Sequence, residues 1–278
     1  AAARELKPHQ LVMTATPIPR TLAMTLYADL DSSVIRELPP GRRPVTTVAL
    51  PERRRPEVVA RVREACRSGA RVYWVCPLIE ESEHLESEAA EPMAAALAEA
   101  LPDVRVGLIH GRMSPADKER AMKAFAQGKV QLLVATTVIE VGVDVPTATL
   151  MIIENAERLG LSQLHQLRGR VGRGRDSSTC VLLYRSPLAT MARARIDVLR
   201  STNDGFEVAQ RDLELRGPGE VLGTRQTGLM QLRVADLVRD ADLMPLVQAL
   251  AGQLAGQPGI AAELMQRWIG SGNRYGEV

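Results

Sequence analysis

The sequence predicts an α/β protein built on a parallel β-sheet with helices on both faces, followed by a helical carboxyl-terminal part. Three observations predict it. Short apolar, β-branched runs recur between residues 45 and 184, helix-period segments separate them, and the strand pattern stops after Tyr184. Strands that alternate with helical segments need crossover connections, and these make a parallel sheet covered on both faces.

The elements follow in order. Gln10 to Met13 reads as a short strand that runs into Thr14-Ala15-Thr16-Pro17-Ile18-Pro19-Arg20, with a helix expected from about Pro19 to Tyr27 because proline suits a first turn. Pro39-Pro40-Gly41-Arg42-Arg43-Pro44 reads as an extended linker, which puts the first domain boundary at residue 43. Strands are expected at Val45 to Leu50, Arg71 to Cys76, Val104 to Ile109, Val130 to Ala135, Ala148 to Ile153 and Thr179 to Tyr184. Glu57 to Arg67 and Ala116 to Ala126 carry apolar residues at helical spacing. Glu80 to Glu91 has six glutamates and no lysine or arginine, and reads as a solvated face or exposed loop. Beyond the sheet, Leu188 to Leu199 and Phe206 to Leu215 form an expected antiparallel pair with Asn203-Asp204-Gly205 as its turn. Arg216-Gly217-Pro218-Gly219 breaks the second helix and opens a loop through Gly228. Val234 to Leu254, with Pro245 as a possible break, and Ala261 to Ile269 are expected closing helices.

Composition narrows the chemistry. The 278 residues suggest two domains of ordinary size, and 3% aromatic residues exclude an aromatic base-stacking surface. A net charge of +2 directs any nucleic-acid contact to local patches. Cys66, Cys76 and Cys180 sit in apolar runs, as buried thiols of a reducing compartment do, and no metal-ligating spacing is present. No apolar run is long enough for a membrane span and no leader is seen, so a cytoplasmic location is expected.

The densest chemistry lies from Gln163 to Arg173. Five arginines and no acid occupy residues 158 to 175. Helical spacing of Leu161, Leu164, Leu167 and Val171 puts Gln166, Arg170 and Arg173 on the opposite, accessible side, where two guanidiniums three residues apart can reach one phosphate. A solvated basic helix face is the competing reading, and the general preference for arginine here (31 Arg to 4 Lys) weakens the argument from residue type. In a parallel sheet, ligands bind at the carboxyl ends of strands. His110-Gly111-Arg112 and Thr136-Thr137 leave two such ends, where they suit a phosphate cradle or ordinary helix capping. Gly142-Val143-Asp144 forms a tight turn whose acid can accept from a ribose hydroxyl or from backbone amides. No stretch fits G-x-x-x-x-G-K-[ST], and no acidic strand end suits a metal, so this chain is expected to supply only the arginine side of an ATP site.

Three stretches, in order, are similar to motifs III, V and VI of superfamily 2 helicases: Thr14 to Arg20, Ala135 to Pro146 and Gln166 to Arg173. Asp31 to Arg43, Ile153 to Leu161 and Asp212 to Gly228 narrow the resemblance to the RecG family of bacterial branch-migrating DNA helicases, over nearly the whole chain and as the carboxyl-terminal part. The resemblance implies an end of a first RecA-like motor domain at 1–43, a second RecA-like domain at 44–185, and a translocation hairpin, hook loop and closing helices at 186–278. It implies Arg170 and Arg173, with Gln166, at the γ-phosphate of ATP, Asp144 and Gly142 near the ribose, and Thr136, Thr137, His110, Gly111 and Arg112 on the DNA backbone. Thr14, Thr16, Arg195, Arg216 and Gln226 match coupling positions. The implied cofactors are ATP and Mg²⁺, held mainly by a first motor domain. The implied partners are forks and Holliday junctions, together with an amino-terminal wedge, in the bacterial nucleoid. A transcription-repair coupling motor and a non-catalytic DNA-binding module are the alternatives.

Overall fold

The computed structural model describes residues 41–77, 83–136, 145–216 and 240–257, with positions 11, 13, 33, 35, 37, 259, 260, 263, 264 and 267. The expected strand at 10–13, the helix at 19–27, the loop after Arg216 and the last helix therefore lie wholly or largely outside the described residues, as do Thr14, Thr16, Thr137, Gly142, Asp144 and Gln226.

Six parallel strands form one sheet in the order β1-β6-β5-β2-β4-β3: β1 (Thr46–Pro51), β2 (Arg71–Val75), β3 (Val106–Ile109), β4 (Leu132–Ala135), β5 (Ala148–Ile153) and β6 (Thr179–Tyr184). The helices between them are α1 (Arg55–Arg67), α2 (Glu83–Ala100), α3 (Pro115–Ala126) and α4 (Leu161–Arg168), and after the sheet come α5 (Thr190–Ser201) and α6 (Gly205–Arg216). Alternation along each strand divides the core in two. Tyr73, Leu133, Met151 and Leu182 point to the side covered by α3, α4 and α5, through Phe125, Leu164 and Ile196. Val72, Trp74, Leu132 and Val181 point to the side covered by α1 and α2, through Val62 and Leu97. Full burial of one such Leu, Ile or Phe contributes about 1.5–3 kcal/mol, so the two layers dominate stability.

Local signals placed the helices. Ser114 caps α3, its hydroxyl accepting the Asp117 N–H at 3.2 Å, with Pro115 in the first turn. Asp204 accepts the Phe206 N–H at 2.8 Å and so starts α6 at the expected turn. The helix α2 extends further than the acidic stretch suggested, from Glu83 through Pro92 to Ala100. Ala90 and Leu97 are buried against the sheet, while Glu91 and Glu99 are exposed.

The pair α5 and α6 shares the sheet's core: Ile196, Leu199 and Val208 are buried in it, and residues 34–215 cluster as one compact unit. A second unit contains α7 (Met244–Ala255), with Pro245 in its first turn. The three cysteines are buried and free, and burial pushes the thiols of Cys66 up to about 11 and of Cys76 and Cys180 up to about 12. They stay protonated and inert at neutral pH. No described helix is long and apolar enough to cross a membrane.

Candidate nucleotide and DNA site

The arginine-rich stretch is half helix and half turn. α4 buries Leu161, Leu164 and Leu167, then ends at Arg168 with Gly169 as its C-cap. Gln163 Oε1 accepts the Gly160 N–H at 3.1 Å and secures the start. The helix does not continue to Arg173, as helical spacing alone implied: the chain leaves it at Gly169, and Gly172 takes φ +73, a left-handed conformation foreign to helix interiors. Val171 is still fully buried, anchoring the turn. Gln166 and Arg170 are half-buried and Arg173 is exposed, with its Nε donating to the Gly169 carbonyl at 3.0 Å. The two arginines thus stand on one short turn, which two close approaches brace. A Cβ on Gly172 would lie 2.7 Å from Val45 Cγ2, and one on Gly174 would lie 2.5 Å from the Pro146 carbonyl oxygen. The second approach seats the turn against Pro146.

Arg168 belongs to the same run but does something different. It is 3% exposed, and its Nη1 donates to the carbonyls of Leu199 and Thr202 at 2.8 and 2.7 Å, while Nη2 lies 2.9 Å from His165 Nδ1. These carbonyls end α5, so one guanidinium ties α4 to the helical pair. The signal was in the spacing: Arg168 stands four after Leu164 and seven after Leu161, on the buried stripe. Burial, aided by the Arg168 charge, pushes the His165 imidazole down to about 4 from 6.5. The folded state then holds it neutral where the unfolded chain takes up a proton. Its contribution to stability is complete above about pH 6.5 and is lost as pH falls through 4. We expect His165→Gln to flatten the acid-side decline of the melting temperature between pH 7 and pH 4; an unchanged slope would refute this.

The carboxyl ends of the strands gather the other polar groups. After β5, Glu154 is 3% exposed and forms a bidentate pair with Arg55, both bonds at 2.8 Å, beside Asn155 in the left-handed region at φ 45. Asparagine tolerates that conformation better than most residues. Arg195 of α5 donates through Nη2 to the Glu157 carbonyl at 3.0 Å, so it grips the turn that leads into α4. After β3, His110 Nε2 lies 3.6 Å from Glu91 Oε1, and Gly111 lends its carbonyl to Lys118 Nζ at 2.6 Å, while Arg112 is exposed. After β4, Thr136 is fully buried. The Thr136 hydroxyl and His110 Nδ1 are both buried without a hydrogen-bond partner among the described residues, on adjacent strand ends. The structure therefore groups Gln166, Arg170 and Arg173 at one place and Thr136, His110, Gly111 and Arg112 at another. The backbone of Arg216 ends α6, and its side chain is outside the description.

Known proteins resemble this arrangement. Residues 57–175 match the helicase conserved C-terminal domain, and residues 202–263 match domain 3, C-terminal, of the ATP-dependent DNA helicase RecG. The chain is 62% identical over 273 residues to ATP-dependent DNA helicase RecG of Pasteurella multocida, covering 98% of this chain and 39% of that protein. For RecG of Escherichia coli K12 the identity is 63% over 270 residues, covering 96% and 39%. Along nearly its whole length the chain is similar to part of RecG. It spans about two fifths of the length of these RecG relatives. A solved structure of RecG bound to a three-way DNA junction superposes with a TM-score of 0.66 at 45% identity, over 83% of this chain and 30% of that one. The helicase match runs from α1 through the arginine turn, and the match specific to RecG starts at Thr202, whose carbonyl Arg168 holds.

Proposed function

We propose that this chain is the second motor domain and translocation hairpin of an ATP-dependent DNA translocase that remodels forks and Holliday junctions. The observation that carries the reading is the braced turn that presents Arg170 and Arg173 and rests against Pro146, in a chain similar to RecG along nearly its whole length. Planar, permanently charged guanidiniums suit phosphate oxygens, so the donor set fits a nucleotide triphosphate. In this reading residues 1–43 end a first motor domain, 44–185 form the second, and 186–278 carry hairpin, hook and closing helices.

ATP supplies a phosphoryl group whose transfer to water drives the cycle. Arg170 and Arg173, aided by Gln166, offset the negative charge that grows on that group, and Gly142 and Asp144 orient the ribose. Thr136, Thr137, His110, Gly111 and Arg112 hold the DNA backbone; the Thr136 hydroxyl and His110 nitrogen, without a hydrogen-bond partner among the described residues, support this, since buried polar groups without partners are costly. Thr14, Thr16, Arg195, Arg216 and Gln226 carry motor closure to the hook. The hold of Arg195 on the turn before α4 supports its part in that relay. We assign Mg²⁺ and the phosphate loop to the part of RecG-type proteins that this chain does not span. Forks, junctions, an amino-terminal wedge and a location at the bacterial nucleoid belong to the same proposal.

Hydrolysis by the isolated 278-residue chain tests it. We expect no ATP turnover, with or without branched DNA, and recovery when the first motor domain is supplied. Robust turnover that Arg173→Ala abolishes would place a complete phosphate site in this chain and overturn the division of labour.

A further inference from the structure

The stretch 41–45, just before β1, lies against the arginine turn. The side chain of Arg43 donates through Nη1 to Ser177 Oγ at 3.3 Å. Val45, 7% exposed, fills the place where any residue but glycine at 172 would put its Cβ, and the Arg43 carbonyl is 3.7 Å from the same point. Gly41, at φ +82, comes within 4 Å of Arg175 in the same sense. Immediately after this stretch the chain enters β1, whose six residues pair in register with β6, beginning with Thr46 against Thr179 and with the Thr46 N–H donating to the Ser178 carbonyl at 2.9 Å. Residues 169–178 have no helix or strand of their own. They touch 41–45 at Gly172 and Pro146 at Gly174.

Behind 41–45 is a sheet strand, and beside it is a turn with two glycines at close approaches. Because Val45 fills the space under Gly172, a change in its side chain is passed directly to the turn.

We propose that Val45 is a positioning residue for the arginine finger: the segment joining the two motor domains, through Val45 packed on Gly172, sets where Arg170 and Arg173 stand. The proposal rests on the reading of those arginines as the finger. Val45 touches neither nucleotide nor DNA in this scheme. It acts only by filling the space under Gly172, so its effect belongs in turnover rather than in binding.

A double-mutant cycle in a full-length RecG-type protein carrying this chain tests it, with Val45→Ala, Gly172→Ala, the double variant and Arg173→Ala. The readouts are DNA-stimulated kcat, KM for ATP, affinity for branched DNA, and the folded fraction from a thermal melt. Misplacement of a reacting group by about 1 Å costs up to about 100-fold in rate. We expect Val45→Ala to lower kcat by about 10-fold or more on that scale, with KM and DNA affinity within about twofold. Gly172→Ala should lose more, and the double variant should exceed it in kcat, because the new methyl enters the space that Val45 vacates. Recovery stays partial, since alanine remains strained at φ +73.

Wild-type kcat in Val45→Ala, with turnover lost in Arg173→Ala, overturns this proposal alone. So does a double variant no better than Gly172→Ala, or a kcat loss wholly matched by lost folded protein. Retained turnover in Arg173→Ala overturns the finger reading and this proposal with it. Where Gly172→Ala does not fold, Val45→Ala and the overpacked Val45→Ile decide the matter, since both should change kcat while KM and DNA affinity hold.

Discussion

Replacing Arg173 by alanine in a full-length RecG-type protein is expected to lower DNA-stimulated ATP turnover by about three to five decades. Affinity for branched DNA should stay nearly constant. The magnitude follows from where the charge is needed. A guanidinium that meets the phosphoryl group only as charge develops contributes to the transition state and little to ground-state binding, so its loss appears in kcat. The Nε bond from Arg173 to the Gly169 carbonyl, 3.0 Å long, sets the plane of the guanidinium before any ligand arrives. Such preorganisation is what a lysine at 173 cannot reproduce, having three rotatable donors and no fork, so Arg173→Lys should recover only a small part of the loss. The rival, in which these arginines track DNA phosphates, makes the opposite forecast. Turnover at saturating DNA would persist, affinity would fall, and the slope of log affinity against log salt would flatten by about one unit per arginine removed. Single-turnover hydrolysis and a salt titration on the same preparation separate the two.

Arg168→Met should destabilise the sheet-containing unit by about 2–4 kcal/mol, read as a lower urea midpoint of the 278-residue chain. The variant loses two charge-assisted bonds, each worth roughly 1.5–3 kcal/mol, and leaves the Leu199 and Thr202 carbonyls without that donor. Relief of the burial that lowers the guanidinium's pKa offsets part of this. Met keeps the length and the apolar stem, so the difference reports the head group. Arg168→Lys should fall between, because a single ammonium reaches one carbonyl well and cannot span both. A midpoint equal to wild type would show that water replaces the guanidinium at no cost and that α4 and α5 are not joined there.

Both predictions concern one arginine run, and they show where the sequence was readable. The strands were legible because Val, Ile and Leu runs bounded by breakers leave few alternatives, and the placement of helices on both faces followed from the alternation. Ser114-Pro115 and Asn203 to Gly205 announced helix starts through side chains that cap locally. Two things were harder. The helix α2 packs its inner face through the widely spaced Ala90, Met93, Ala94 and Leu97 in an acidic, alanine-rich stretch, and carries Pro92 in its interior. The arginine stretch looked continuously helical because Val171 is buried in phase with Leu164 and Leu167, although the chain leaves the helix at Gly169. Periodicity reports burial, and a turn can bury a residue as well as a helix does. Burial of Arg168 was legible in phase but masked by its charge. The contact of 41–45 with the turn spans 134 residues at Arg43 and Ser177, and nothing local encodes it.

That separation also orders events at the ribosome. Among the described strands the first has the last as its neighbour, so there β1 finds its sheet partner only once β6 has been synthesised. Contacts so distant along the chain are slow to form and late to be rewarded. During translation β2 to β5 can assemble while β1 waits as an unpaired, apolar edge, the kind of surface that recruits the wrong strand. The arginine turn, which rests on the approach to β1, takes its final shape only when that edge closes. A nascent chain arrested before Thr179 would hold most of its core and none of the arginine turn's geometry.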